Sequence, residues 1–322
     1  MATTDITKYK FVSTALRVKD PEVSIKFYNH LGLSLIKKVD FAEGNFTLYF
    51  LAYDSPTALF QGKHLTDREG VVELIHNHGT ENDPDYRPPN GNAEPYKGFG
   101  HICVSVDNIQ AACKKVGEAG YGFQKRLEDG RMKFLAFALD PDGYWVEIVC
   151  QKNWESTAGI ETTDLGTYRM NHSMIRVKDI EKSLSFYKDV MGMTLLHTHK
   201  VPEAKFDLYF LGYPYNKIVP ESNPDGVPPV AAFEGLLELT YNYGTEADPS
   251  FSYHDGNTGP QGFGGIVFSV DDLDAACARY EELKVRWKKR LGEFPDIALI
   301  FDPDGYTVEI VQNESIKKRT GW

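Results

Sequence analysis

Apolar and polar positions along the chain fall into a pattern that recurs. "FVSTALRV", residues 11 to 18, is an apolar run of strand length, and "DPEVSIKFYNHLG" after it has the spacing of a helix. Asp20 stands at the N-cap of that helix, Pro21 at its first position and Gly32 just past its end. Strand-like runs follow at about 34–40, 45–53 and 70–77. The same order then returns with strand "HICVSV", helix "DNIQAACKKVGEAG", and strands near 121–126, 132–139 and 144–150. The predicted unit is βαβββ, and the first half of the chain holds two of them.

The second half repeats the first. "LRVKDPEVSIKFY" (16–28) matches "IRVKDIEKSLSFY" (175–187), and "FTLYFLAY" (46–53) matches "FDLYFLGY" (206–213). "VVELIHNHGTENDP" (71–84) matches "LLELTYNYGTEADP" (236–249), and "LDPDGYWVEIV" (139–149) matches "FDPDGYTVEIV" (301–311). The offset runs only from 159 (17 to 176) to 165 (73 to 238), so the copies are colinear with short loop changes. The expectation is an α+β protein made by tandem duplication, with four βαβββ modules. Residues 1–155 form the first domain and 169–322 the second. Between them, 156–168 is a linker within the polar, Thr- and Gly-containing "KNWESTAGIETTDLGTY".

Composition narrows the class. With 322 residues, 42% hydrophobic and 25% charged, the chain reads as an ordinary soluble protein of about two domains. Its net charge of −11 argues against nucleic acid or acidic lipid as a bulk partner. No apolar run approaches the roughly 20 residues that span a bilayer, and "MATTDITKYKF" lacks the layout of a signal peptide, so a cytoplasmic protein is expected. Four cysteines without CxxC spacing read as reduced thiols.

Candidate chemistry sits inside the strands. Side chains alternate between sheet faces, so His101 points with Cys103 and Ser105, and Glu147 with Trp145 and Val149. His172 points with Met174 and Arg176, and Glu238 with Thr240 and Asn242. A single strand histidine is more often a hydrogen-bonded core residue than a ligand, and a single glutamate can lie on the outward face. Four glutamates at equivalent places in apolar strands (Glu73, Glu147, Glu238 and Glu309) call for another reason, because glutamate is a poor strand former and costly to bury. His76 and His78 in "HNHG" face away from Glu73 and read as structural. One exchange stands out: "GFGHICVSV" carries His101 where "GFGGIVFSV" carries Gly265.

Taken together, "LRVKD…FY", "LYFLAY", "VELIHNHGTE", "GFGHI" and "DPDGYWVEI" resemble the glyoxalase I (lactoylglutathione lyase) family of the vicinal oxygen chelate superfamily, in its fused two-copy form. The resemblance implies metal sites shared between modules. Modules 2 and 3 would supply His101, Glu147, His172 and Glu238, a complete ligand set. Modules 1 and 4 would supply Ser13, Glu73, Gly265 and Glu309, a degenerate one that has lost both nitrogen ligands. It further implies one divalent metal per chain, with Zn²⁺ favoured by the long segment between "LYFLAY" and "VVELIHN", and with Ni²⁺, Co²⁺ or Mn²⁺ compatible with the donor types.

The implied substrate is the hemithioacetal of methylglyoxal and glutathione, isomerised through an enediolate to (R)-S-lactoylglutathione. Glu147 is the implied principal base and Glu238 its counterpart. Arg176, Asn242 and Lys97 are the implied contacts to the γ-glutamyl end, and Arg131 and Met132 of "GRMK" those to the glycyl end. In the degenerate half that loop reads "GEFPD", whose Glu293 would repel the glycyl carboxylate, and Gln261 replaces the basic residue. One chain supplies all four modules, so a monomer suffices. Two rivals on the same fold are an Fe(II) extradiol dioxygenase and a non-catalytic protein that binds glutathione conjugates. The fourth ligand, Glu238, counts against the first and the intact quartet against the second.

Overall fold

The computed structural model describes residues 3–130, 132–214, 227, 229–293 and 296–319. Module 1 consists of β1 (Lys10–Arg17), α1 (Pro21–His30), β2 (Ser34–Phe41), β3 (Phe46–Ala52) and β4 (Val71–Asn77). Module 2 follows with β5 (Phe99–Val106), α2 (Ile109–Glu118), β6 (Phe123–Lys125), β7 (Leu135–Leu139) and β8 (Trp145–Cys150). The second copy repeats this order. Module 3 holds β9 (Arg169–Val177), α3 (Ile180–Ser185, continued by a wider turn at Phe186–Val190), β10 (Thr194–Val201), β11 (Phe206–Gly212) and β12 (Leu236–Asn242). Module 4 holds β13 (Phe263–Val270), α4 (Leu273–Glu282), β14 (Trp287–Lys289), β15 (Ile297–Phe301) and β16 (Thr307–Gln312).

Local chemistry starts and stops these elements as the sequence suggests. Asp20 caps α1 by accepting from the N–H groups of Glu22 and Val23, and Asn108, Asp179 and Asp272 cap the other three helices in the same way. The strands around 121–126 and 132–139 are shorter than the pattern predicts. A register shift between Phe123 and Lys125 interrupts the short ladder, and Lys125 turns its ammonium onto the carbonyls of Met132 and Leu135.

The strands form two eight-stranded sheets, and neither belongs to one copy. One sheet runs β14-β15-β16-β13-β1-β4-β3-β2 and the other β10-β11-β12-β9-β5-β8-β7-β6. Each is joined at its centre by an antiparallel pair drawn from different copies: β1 with β13, and β5 with β9. The two sheets are related by a pseudo-twofold axis. Equivalent hydroxyls of Thr14 and Ser173 meet there at 2.5 Å, and the equivalent rings of Phe99 and Phe263 stack with centroids 4.7 Å apart.

Modules of one copy are tied to each other differently, through the "DPDGY" turns. Tyr144 donates to the carbonyl of Arg17 and Tyr28 donates to Asp140, and Tyr306 to Arg176 and Tyr187 to Asp302 repeat the arrangement. Burial pushes both Asp140 and Asp302 up to about 7. Because the copies interleave in this way, the sheet faces, rather than the sequence domains, define the two cups in which function must be sought. The four cysteines are buried and unbridged, and among the described residues no helix is long and apolar enough to cross a membrane.

Candidate metal centre

In the sheet built from modules 2 and 3, strand register gathers four distant residues. Cys103 lies opposite Glu147 on one side and His172 on the other, and Glu238 pairs with Met174 of the same strand as His172. His101, Glu147, His172 and Glu238 are all buried, and one ligand atom from each falls within 4.8 Å of the others. The His172 Nε2 atom is 3.2 Å from His101 Nε2, 3.2 Å from Glu147 Oε2 and 3.0 Å from Glu238 Oε2. His101 Nε2 is 3.4 Å from Glu147 Oε2 and 3.9 Å from Glu238 Oε2.

These separations suit a shared cation. Ligand bonds of about 2.0–2.2 Å place neighbouring donors roughly 3.0 Å apart in an octahedron and 3.4 Å apart in a tetrahedron. Two neutral imidazoles and two carboxylates also balance a divalent charge. Without a cation the groups satisfy one another. Burial alone would raise Glu147, but the two imidazoles overcome it and hold the carboxyl well below its usual range. Burial alone would lower His172, yet Cys103, Glu147 and Glu238 raise it well above the usual imidazole value.

Surrounding residues set the orientation of the cluster. Thr240 donates at 3.0 Å to Glu238 Oε1, which leaves Oε2 for the cup. Asn171 Oδ1 lies 2.8 Å from His172 Nδ1. Phe137 stands edge-on to His101 at 5.3 Å and Phe210 to His172 at 5.4 Å, an apolar ring against each imidazole. Sequence reading passed over Asn171, although the contrast between "NHSMIRV" and "VSTALRV" displays it.

Of the residues expected to contact glutathione, Arg176 and Asn242 lie on neighbouring strands of this sheet. Arg176 is in register with Thr240, two positions before Asn242. Its guanidinium donates to the carbonyls of Gly91, Gly98 and Phe99 and to Asn92, so it also fixes the segment that carries Lys97. Asn242 donates to the hydroxyl of Tyr253. Met132 is 47% exposed, and Arg131 lies outside the described residues.

The other cup is different in kind. Ser13 donates to Glu73 at 2.9 Å, and the small cavity beside it is lined mostly by apolar side chains: Val12, Phe50, Leu65, Val267 and Val311. The cavity left beside Glu73 and Glu309 is about 10 Å³, room for a single water molecule. Leu65 and Thr66 close it from a segment pinned by Asn313, which donates to the Thr66 carbonyl. Burial pushes Glu73 up to about 7 against the Ser13 hydrogen bond, and burial together with repulsion from Glu73 pushes Glu309 up to about 8. Gly265 has done more than lose an imidazole. Its φ of +144° is one that L side chains rarely adopt, and a Cβ there would lie 2.5 Å from the Thr307 carbonyl oxygen. Both outer partners are missing too, since Val12 stands for Asn171 and Ile75 for Thr240. The "GEFPD" loop keeps Glu293 as a cap on the backbone N–H of Arg290. His76 and His78 are held by Glu81 and Thr47, in line with a structural role.

Comparisons with known proteins agree with this architecture. The profile of the Glyoxalase/Bleomycin resistance protein/Dioxygenase superfamily matches residues 10–148 and again 169–310. A Schizosaccharomyces pombe protein named lactoylglutathione lyase is 44% identical over 317 residues, covering 97% of this chain and 99% of that protein. A Saccharomyces cerevisiae protein named glyoxalase I is 45% identical over 309 residues, covering 92% and 90%. Among solved structures, glyoxalase I from Zea mays superposes with a TM-score of 0.65 at 26% identity, covering 94% of this chain and 92% of that one.

Proposed function

Because the chain belongs to the glyoxalase I family of this superfamily, we propose that it is a lactoylglutathione lyase with one working site per chain, formed by modules 2 and 3. Its substrate is the hemithioacetal of methylglyoxal and glutathione, and its product is (R)-S-lactoylglutathione. The observation that carries this reading is the convergence of His101, Glu147, His172 and Glu238 within 4.8 Å in a buried cup. The resident ion is a divalent metal, and we favour zinc on the imidazole and carboxylate donors and the long segment before β4. When bound, it polarises the adjacent oxygens of the substrate and stabilises the charge that develops on them.

The chain's own residues divide the remaining work. Glu147 takes the proton from the carbon that bears sulfur and returns it to the neighbouring carbon. It suits this role better than Glu238, because Thr240 anchors Glu238 whereas Val149, at the matching place beside Glu147, has no hydroxyl to offer. Glu238 stays fixed on the opposite face. Phe137 and Phe210 keep bulk water from the reacting carbons. Arg176, Asn242 and Lys97 receive the γ-glutamyl end, and Arg131 and Met132 the glycyl end. A monomer in the cytoplasm is the working form.

The test is thioester formation from methylglyoxal and glutathione by wild type, Glu147→Gln and Glu309→Gln. General-base loss lowers kcat by about 10²–10⁴-fold in the first variant, and the second keeps near wild-type activity. Equal sensitivity of the two variants would contradict the assignment. Oxygen uptake with a catechol would favour the dioxygenase instead.

A further inference from the structure

The buried amide of Asn171, 2% exposed, has each of its atoms committed. Its Nδ2 donates to the carbonyl oxygens of Val230 at 2.8 Å and Phe233 at 2.9 Å. Two carbonyls can only be met by the NH₂ end, so the orientation of the amide is fixed by its neighbours and its Oδ1 must face His172 Nδ1, 2.8 Å away. An oxygen acceptor at that distance requires a proton on Nδ1. In a neutral imidazole the lone pair then lies on Nε2, the atom that meets His101, Glu147 and Glu238.

The chain contains its own comparison. In module 1 the matching dipeptide is Val12-Ser13, so the filled cup has lost the ligand and its partner together. Had Asn171 served only to tie β9 to the segment 229–233, nothing would link its loss to that of the histidine. We infer that Asn171 is a positioning residue: by accepting from Nδ1 it holds His172 in the tautomer and rotamer that present Nε2 to the cation, and it locks that geometry to the backbone of the segment before β12. The inference rests on the proposed metal site.

The test is zinc affinity of the full-length chain, measured by chelator competition for wild type, Asn171→Val and Asn171→Asp. Long-range ¹H–¹⁵N spectra of the histidine rings of the zinc-loaded protein accompany it. Asn171→Val removes the acceptor, and zinc affinity falls about 10–100-fold, the usual cost of losing such a partner, while the His172 Nδ1 proton loses its protection from exchange. Asn171→Asp keeps the acceptor but gives up both donors. It therefore melts at a lower temperature than wild type yet retains zinc affinity and the protected proton. If Asn171→Val binds zinc as wild type does, or Asn171→Asp loses as much affinity as Asn171→Val, the role is structural only and the inference fails. Should Asn171→Val not fold, Asn171→Asp decides alone, retained affinity supporting the inference and lost affinity overturning it. A wild type that binds no zinc would overturn the metal-site reading first, and this inference with it.

Discussion

Replacing Glu73 by glutamine probes whether the filled cup is dry and free of metal. Glu73 is 5% exposed, and burial lifts its carboxyl from an ordinary 4.5 to about 7, with the Ser13 hydrogen bond opposing the rise. In the unfolded chain the group ionises near its ordinary value, so above about pH 4.5 the unfolded state binds fewer protons than the folded one. The stability that the protonated carboxyl contributes is complete below that pH and is lost as pH rises through about 7. At about 1.4 kcal/mol per pH unit between the two values, the loss from pH 5 to pH 8 amounts to roughly 2–3 kcal/mol. Glutamine keeps an acceptor for Ser13 and cannot ionise. It also removes the repulsion on Glu309, which acts in the same direction. Melts of wild type and Glu73→Gln should therefore nearly coincide at pH 5 and separate by roughly 3–4 °C at pH 8, the variant being the more stable. A wild type that gains stability relative to the variant with rising pH would refute the reasoning, since a cation or other positive partner would then hold Glu73 in its charged form.

Two further outcomes follow from the contrast between the cups. Restoring both nitrogen ligands, as Ser13→His with Gly265→His, should add no second bound metal and should lower the melting temperature, because the backbone at 265 and the Thr307 carbonyl oppose a side chain and the cavity is about 10 Å³. A second equivalent of metal in that variant would show that only side chains were lost. Removal of metal with a chelator should lower the melting temperature, and re-addition of zinc should restore it in proportion to the logarithm of free zinc. Glu147→Gln should blunt the response and Glu309→Gln should leave it intact.

Much of this was legible along the chain because the duplication supplies internal controls. Module order and the helix cap at Asp20 follow from periodicity and the internal repeat, and the quartet at 101, 147, 172 and 238 from the family resemblance. The exchange of His101 for Gly265 marked the degenerate site, but its depth was hidden. A positive φ at Gly265 and the closure by Leu65 and Thr66 depend on how distant segments pack, which periodicity does not encode. The same holds for Arg176, for which the family resemblance implied a substrate contact while its bonds to three carbonyls came from the fold of the 91–99 segment. Asn171 and Thr240 lay in plain view as exchanges with Val12 and Ile75. Only the geometry shows what they touch.

The claim at the centre is that one cup holds a cation and the other has become core. Metal content per folded chain, measured on zinc-saturated and dialysed protein, tests it most directly. One equivalent in wild type, retained in Glu309→Gln and lost or much weakened in His172→Ala, is the expected result. Two equivalents in wild type, or one that survives His172→Ala and disappears with Glu309→Gln, would contradict it.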